Sequence, residues 1–194
     1  MSDQITVKNE GSADFAPHPE GSYIGVCVDV IDLGQKVEQF ENNPPKEVWK
    51  VAIVFQTIED NPDTGKPFEV SVEKTLSFHE RAGLRKFLGS WRGKTYTDEE
   101  AAKGVPLHKL EGANAMLIIE HKTSKAGRTY AVINNIAPAA KGSAKVTARN
   151  YTRAEFWAQR KAEYAAGVAK HRGDAEPLAA ALAGAGTEDD SLPF

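Results

Sequence analysis

Apolar and polar residues alternate with two different periods along this chain. Residues 22–32, Ser-Tyr-Ile-Gly-Val-Cys-Val-Asp-Val-Ile-Asp, repeat every two positions, as a half-buried strand does. Ile24, Val26, Val28 and Val30 fall on one face, and Tyr23, Gly25, Cys27 and Asp29 on the other. A second run over 47–58 puts Trp49, Val51, Ile53 and Phe55 together, with Lys50 and Gln56 opposite. Asn61-Pro62-Asp63-Thr64-Gly65 is a turn signal, and a third strand over 67–78 is the return arm of that hairpin. The period then lengthens. Leu84, Phe87, Leu88 and Trp91 mark one face of a helix between Glu80 and Trp91. Thr97-Asp98-Glu99-Glu100 predicts a shorter helix over 97–103, with Thr97 as N-cap and a carboxylate at the third helical position. Period two returns over 113–123 and 128–137, separated by the turn Ser124-Lys125-Ala126-Gly127.

The order β-β-β-α-β-β, in short and mostly hairpin-linked strands, predicts a mainly β domain. The best match is a five-stranded Greek-key barrel of OB type, with the helix between strands three and four plugging one end. A plain α+β sheet is the alternative. Further on, Thr152 with Glu155 three residues later predicts the start of a second helix, which Gly173 would stop after His171. Its apolar stripe, Trp157, Tyr164 and Val168, can dock on the barrel or on a second copy of the chain. The 152–171 helix is therefore the candidate homo-oligomer contact. The chain divides into a flexible arm (1–20), a barrel domain (21–142), a basic C-terminal helix (143–172), and a flexible spacer with an acidic tail (173–194).

Composition changes this picture little. The 194 residues are 41% hydrophobic and 26% charged, which excludes collagen-like, mucin-like and wholly disordered chains. One cysteine excludes an internal disulfide framework. No apolar run is long enough for a membrane span, and Met-Ser-Asp-Gln-Ile-Thr does not begin a secretory signal. A reducing, cytoplasmic setting is expected. Charge is more informative. The sum is −3, from 24 Lys and Arg against 27 Asp and Glu, which argues against a nucleic-acid partner. Yet residues 143–172 hold seven cations and two carboxylates, net +5, and 173–194 hold five carboxylates and no cation, net −5.

Catalytic chemistry finds no support in the pattern. Cys27 stands alone, and the five histidines lack paired zinc-ligand spacing. Thr64-Gly65-Lys66 has Asp60 where a phosphate loop needs glycine, and no Ser or Thr follows Lys66. Cys27 lies mid-strand without an activating neighbour, so a structural thiol is expected rather than a nucleophile. A nuclease would need a metal-binding acidic cluster, which no spacing shows. No enzyme, cofactor or metal is expected.

Single-strand binding needs cations that track a backbone and aromatic faces for bases. Two stretches interleave these types. The hairpin between strands four and five offers His121, Lys122, Lys125, Arg128 and Tyr130, on the loop that OB folds use to grip oligonucleotides. The helix exit offers Trp91, Arg92 and Lys94, although Trp91 also sits on the helical apolar stripe and so reads as core. Lys50 and Lys74 are expected to face outward on the second and third strands. Lys36 and Phe40 lie in a loop, Gly34 to Lys46, long enough to fold over a ligand. For the hairpin, the plainer reading is a solvated turn whose lysines discourage edge pairing.

The chain ends Glu188-Asp189-Asp190-Ser191-Leu192-Pro193-Phe194. This end closely resembles the Asp-Asp-Asp-Ile-Pro-Phe tip of bacterial single-stranded DNA-binding proteins. Asp189, Asp190, Pro193 and Phe194 match directly. Leu192 replaces an isoleucine, and Ser191 replaces an acidic residue, which removes one charge. The body is more similar to single-stranded DNA-binding proteins of tailed bacteriophages, which carry an OB barrel and an acidic tail. The resemblance implies sequence-independent binding of single-stranded DNA during replication, recombination or repair. It also implies recruitment of partner enzymes by Glu188, Asp189, Asp190, Leu192, Pro193 and Phe194. The alternative is an interaction module that mimics the tip and captures host proteins without itself binding DNA.

Overall fold

The computed structural model describes residues 16–184, with side chains in the C-terminal helix as far as Gly173. Residues 1–15 of the arm and residues 185–194, which include the acidic tip, lie outside the described residues. Five strands form one antiparallel sheet: β1 (Gly21–Glu38), β2 (Lys46–Asp60), β3 (Pro67–Thr75), β4 (Asn114–Thr123) and β5 (Thr129–Pro138). Their order is β3-β2-β1-β4-β5. Helix α1 (Gly83–Arg92), the short α2 (Asp98–Ala102) and a 3₁₀ turn (Leu107–Leu110) connect β3 to β4. A long helix, α3 (Glu155–Gly184), follows β5. None of the described helices is long and apolar enough to cross a membrane.

One sheet face carries the main core. Cys27, Val51, Ile53, Phe55, Leu117 and Ile136 pack there against Leu84, Phe87, Leu88 and Trp91 of α1. Gly25 lets β1 approach this core, since a Cβ there would sit 2.6 Å from Leu117 Cδ1. The other face packs on α3. Ile31, Leu33, Ala52 and Val54 meet Trp157 and Tyr164. The apolar stripe of α3 is thus occupied by the chain's own sheet. β2 is consequently buried on both faces from Lys50 to Thr57.

The simple alternation expected for the first strand fails at one point. The register jumps between Cys27↔Phe55 and Asp29↔Val54, so β1 carries a bulge. Cys27 and Val30 belong to the main core, whereas Val28 and Ile31 pack on the α3 side. β1 and β2 also extend further than expected, pairing to Glu38↔Lys46. Only residues 39–45 remain as the loop that the sequence places over 34–46. The turn at 61–66 is a hairpin, with Asn61 N–H bonded to the Lys66 carbonyl and Gly65 at φ 64°.

The capping box of α2 is present. Thr97 Oγ1 accepts from the Glu100 N–H, and the Glu100 carboxylate accepts from the Thr97 N–H. Helix α3 departs from expectation at both ends. It begins at Glu155, so Thr152 precedes it by three residues, and it passes through Gly173. A single interior glycine costs only about 1 kcal/mol relative to alanine, and the flanking sequence is alanine-rich.

The connection from β5 to α3 is held by two side-chain amides. Asn114 Nδ2 donates to the Val146 carbonyl at 2.8 Å, and its Oδ1 accepts from the Val146 N–H at 2.9 Å. Gln56 does the same for Arg149, at 3.2 and 2.9 Å. Each amide supplies the paired bonds that a neighbouring strand would. Residues 16–20, expected to be part of the flexible arm, are also anchored. His18 is buried between Tyr23 and Phe68, and its ring bonds Thr57 Oγ1 at 2.8 Å.

Candidate nucleic-acid interface

The expected candidates separate into groups with different surroundings. Trp91 is only 7% exposed and packs on Phe55, with its indole N–H donated to the Asn114 carbonyl at 3.0 Å. It is a core residue, because the helical stripe that carries it faces the sheet. Lys50, expected to face outward, is buried. It donates to Thr75 Oγ1 at 2.9 Å and pairs with Glu38 at 2.8 Å. It points outward from the main core, but the other face of β2 lies under α3. Lys36 pairs with Glu38 and lies over the Tyr164 ring of α3, 5.0 Å from its centroid. Lys74 is half-buried over the Phe87 ring, and burial, helped by Lys50, lowers its pKa.

At the α1 exit, Arg92 holds Glu100 at 2.7 Å, donates to the Lys94 and Thr95 carbonyls, and stacks on Tyr96. Hydrogen bonds from Arg92 and from the Thr97 N–H push the Glu100 pKa down to about 2. Arg92 therefore closes the α1–α2 connection. Lys94 is exposed at the rim of a cleft of about 980 Å³ that Arg85, Lys86 and Tyr96 also line. Gly93 ends α1 at φ 71°, where a Cβ would strike Pro138. This fixes the exit beside the last residue of β5. The β4–β5 turn lies at the opposite end of that ten-residue strand, roughly 30 Å away at the rise of an extended chain. The two stretches that interleave cations and aromatics thus form two separate sites. Phe40, 70% exposed, lies at a third place, the tip of the β1–β2 hairpin.

The β4–β5 hairpin carries exposed cations. Lys122, Lys125, Arg128 and Tyr130 are all exposed, and Lys122 stands opposite Tyr130 in register. Lys122 and Lys125 have no ion-pair partner among the described residues. His121 is partly covered by the 16–20 segment. Its N–H donates to Glu20 Oε1 at 2.7 Å, and its ring bonds the His18 carbonyl.

Beside this hairpin runs a groove of about 890 Å³. Its walls are residues 16–18, the start of β3, the start of β5 and residues 152–156 at the head of α3. Lys66, Arg128 and Arg153 line it together with Tyr130 and Phe156, and Glu69 and Glu155 also reach it. Sequence reading did not single out Lys66, Phe68, Arg153 or Phe156 as site residues. They come together only because α3 docks back on the sheet, more than 80 positions from β3, and no local period reports that. The nearest signal was Phe156 beside Trp157 at a helix start.

The basic C-terminal segment is largely neutralised within the fold. Arg149 pairs with Asp60 at 2.7 Å, Arg153 with Asp29 at 2.7 Å, Arg160 with Glu73 at 3.5 Å and Arg172 with Glu47 at 2.6 Å. Tyr151 and Tyr164 add hydroxyl hydrogen bonds to Asp29 and Glu73.

Cys27 is fully buried, and desolvation raises its pKa to about 12, so it is a structural thiol. Among the described residues, no group of three His, Cys, Asp or Glu is placed to hold a metal ion. No family model matches the chain, and no curated protein sequence matches it.

Proposed function

We propose that this chain is a sequence-independent single-stranded DNA-binding protein on an OB-type barrel, of the kind tailed phages use in replication and recombination. The observation that carries the reading is the β4–β5 hairpin, which exposes Lys122, Lys125 and Tyr130 beside an open groove that Arg128 also lines. Cations there meet phosphates and the ring offers a face to any base, which is recognition without sequence preference. The strand order supports the barrel. β1 pairs with both β2 and β4, a helix follows β3, and the edge strands β3 and β5 approach each other. An OB-type barrel would need such pairing.

The test is fluorescence anisotropy with labelled poly-dT and with a duplex of equal length, across a salt series. The expected result is preference for the single strand, with log K falling by about 0.7 per log salt for each phosphate neutralised. Absence of single-strand binding at low salt would overturn the proposal. In the same reading, the tip Glu188–Phe194 recruits replication or recombination enzymes. Phe194 would fill an apolar pocket, and the aspartates would steer the approach to a basic surface. Deleting residues 188–194 is expected to abolish partner capture from host lysate while single-strand binding persists.

A further inference from the structure

We infer that the bound strand runs through the groove between β3, the β4–β5 hairpin and the head of α3, with Tyr130 and Phe156 as its base-stacking platforms. This rests on the single-strand reading above and adds the path. The usual oligonucleotide surface of an OB barrel is the exterior of strands two and three, with the flanking loops. Here α3 covers much of that exterior. Ala52 and Val54 of β2 lie under Trp157 and Tyr164, and Glu73 of β3 is bonded to Tyr164. A strand that engages the β4–β5 turn must therefore follow a neighbouring channel, and the groove begins at that turn.

Its chemistry fits one occupant. Tyr130 is 45% exposed and Phe156 44%, one on the β5 wall and one on the α3 wall. Lys66 lies on the β3 side and has no ion-pair partner among the described residues, and Arg128 lies on the hairpin side. Exposed rings between cations suit unpaired bases on a phosphate chain, whereas a duplex keeps its base faces stacked inside. The cations outnumber the groove's carboxylates, Glu69 and Glu155, only narrowly, so stacking rather than charge gives the site its preference. The head of α3 thereby becomes part of the binding surface. Arg153, bonded through two nitrogens to Asp29 at 2.7 Å, fixes that head against the sheet and acts as a positioning residue.

The experiment uses the full chain and fluorescein-labelled poly-dT, with Tyr130→Ala, Phe156→Ala, Lys66→Gln and, as an aromatic control outside the groove, Trp49→Ala. Tyr130→Ala and Phe156→Ala are each expected to weaken binding roughly tenfold, the order of one stacked base. Lys66→Gln should lower the salt slope by about 0.7. Trp49→Ala should bind as the parent does. Because Phe156 touches the Trp157 ring, thermal melts accompany each variant, and Tyr130, on a different element, gives an independent result. Photocrosslinking with 5-iodouracil-substituted oligonucleotide should label peptides containing Tyr130 or Phe156. Binding by the parent with both ring variants unchanged would overturn the path and leave the function standing. A loss in Trp49→Ala equal to theirs, or crosslinks confined to the β1–β2 hairpin, would do the same. Failure of the parent to bind would overturn the function itself.

Discussion

The segment 143–172 and the hairpin 121–130 are both cationic, and they use their charge in opposite ways. In the first, four of seven cations face carboxylates of the sheet, at Asp29, Asp60, Glu47 and Glu73. In the second, Lys122 and Lys125 face solvent. The first therefore uses its charge to fix one element on another, and the second leaves Lys122 and Lys125 available to a partner. A charge count along a sequence registers both alike, because it does not record where the carboxylates fold to. The +5 of the helical segment is in large part the counterpart of the sheet's own acidity.

Substitutions can break this contrast, and the largest effect is expected beneath α3. Trp157→Ala removes the largest side chain between α3 and the sheet. It should cost about 3–5 kcal/mol in urea unfolding, with single-strand binding lost as the groove wall moves away. Arg153→Ala comes next. It leaves Asp29, which is buried, with the Tyr151 hydroxyl and the Val30 backbone N–H. A fully buried broken pair would cost more, but the Arg153 side chain is 57% exposed, so about 1–2 kcal/mol is expected. The same pair gives an acid signature. Burial alone would raise the Asp29 pKa, and the hydrogen bonds from Arg153 and Tyr151 outweigh it, so the folded value lies below the ordinary 3.8. That contribution is whole above 3.8 and is lost as pH falls through the folded value. Acid melts of Asp29→Asn should lack this component.

A smaller effect concerns the hairpin side. His18, whose carbonyl receives the His121 ring, has its pKa lowered by burial. Its unfolded form takes a proton first, so stability should hold above pH 6.5 and decline below it, as the unfolded chain protonates and the buried ring resists. Thermal melts of His18→Gln should show a flatter profile through that range. The smallest stability effect belongs to Lys122→Gln with Lys125→Gln, within about 0.5 kcal/mol in urea because both are at the surface. The same pair should reduce the salt slope of single-strand binding by about 1.4, at 0.7 per lost phosphate contact. A stability loss comparable to that of Arg153→Ala would place these lysines with the helix rather than against it.

Period-two patterning located all five strands, and the apolar stripe at Leu84–Trp91 located α1, because those patterns are set by local geometry and a single buried face. The misassignments share a cause in the second layer. Lys50 and Gln56 looked solvent-facing since they oppose Val51, Ile53 and Phe55, yet that opposite face is covered by residues about a hundred positions later. The bulge after Cys27 was hidden because Val28 and Val30 fit an unbroken alternation equally well. At the candidate site, Lys122, Lys125 and Tyr130 were visible because they sit on one hairpin. Phe156 and Lys66 were not, since only the docking of α3 brings them together.

The order of synthesis gives that docking a temporal consequence. Every strand is complete once Pro138 has been made, but the α3 residues that dock on the sheet come later, from Trp157 and Tyr164 against Ala52 and Val54 to Arg172 on Glu47. Translation at roughly 5–20 residues per second takes about 2–7 s to supply them. During that interval a nascent sheet presents an apolar outer face with no cover. This is the window in which a chaperone, or a neighbouring nascent chain, would compete with α3 for the same surface.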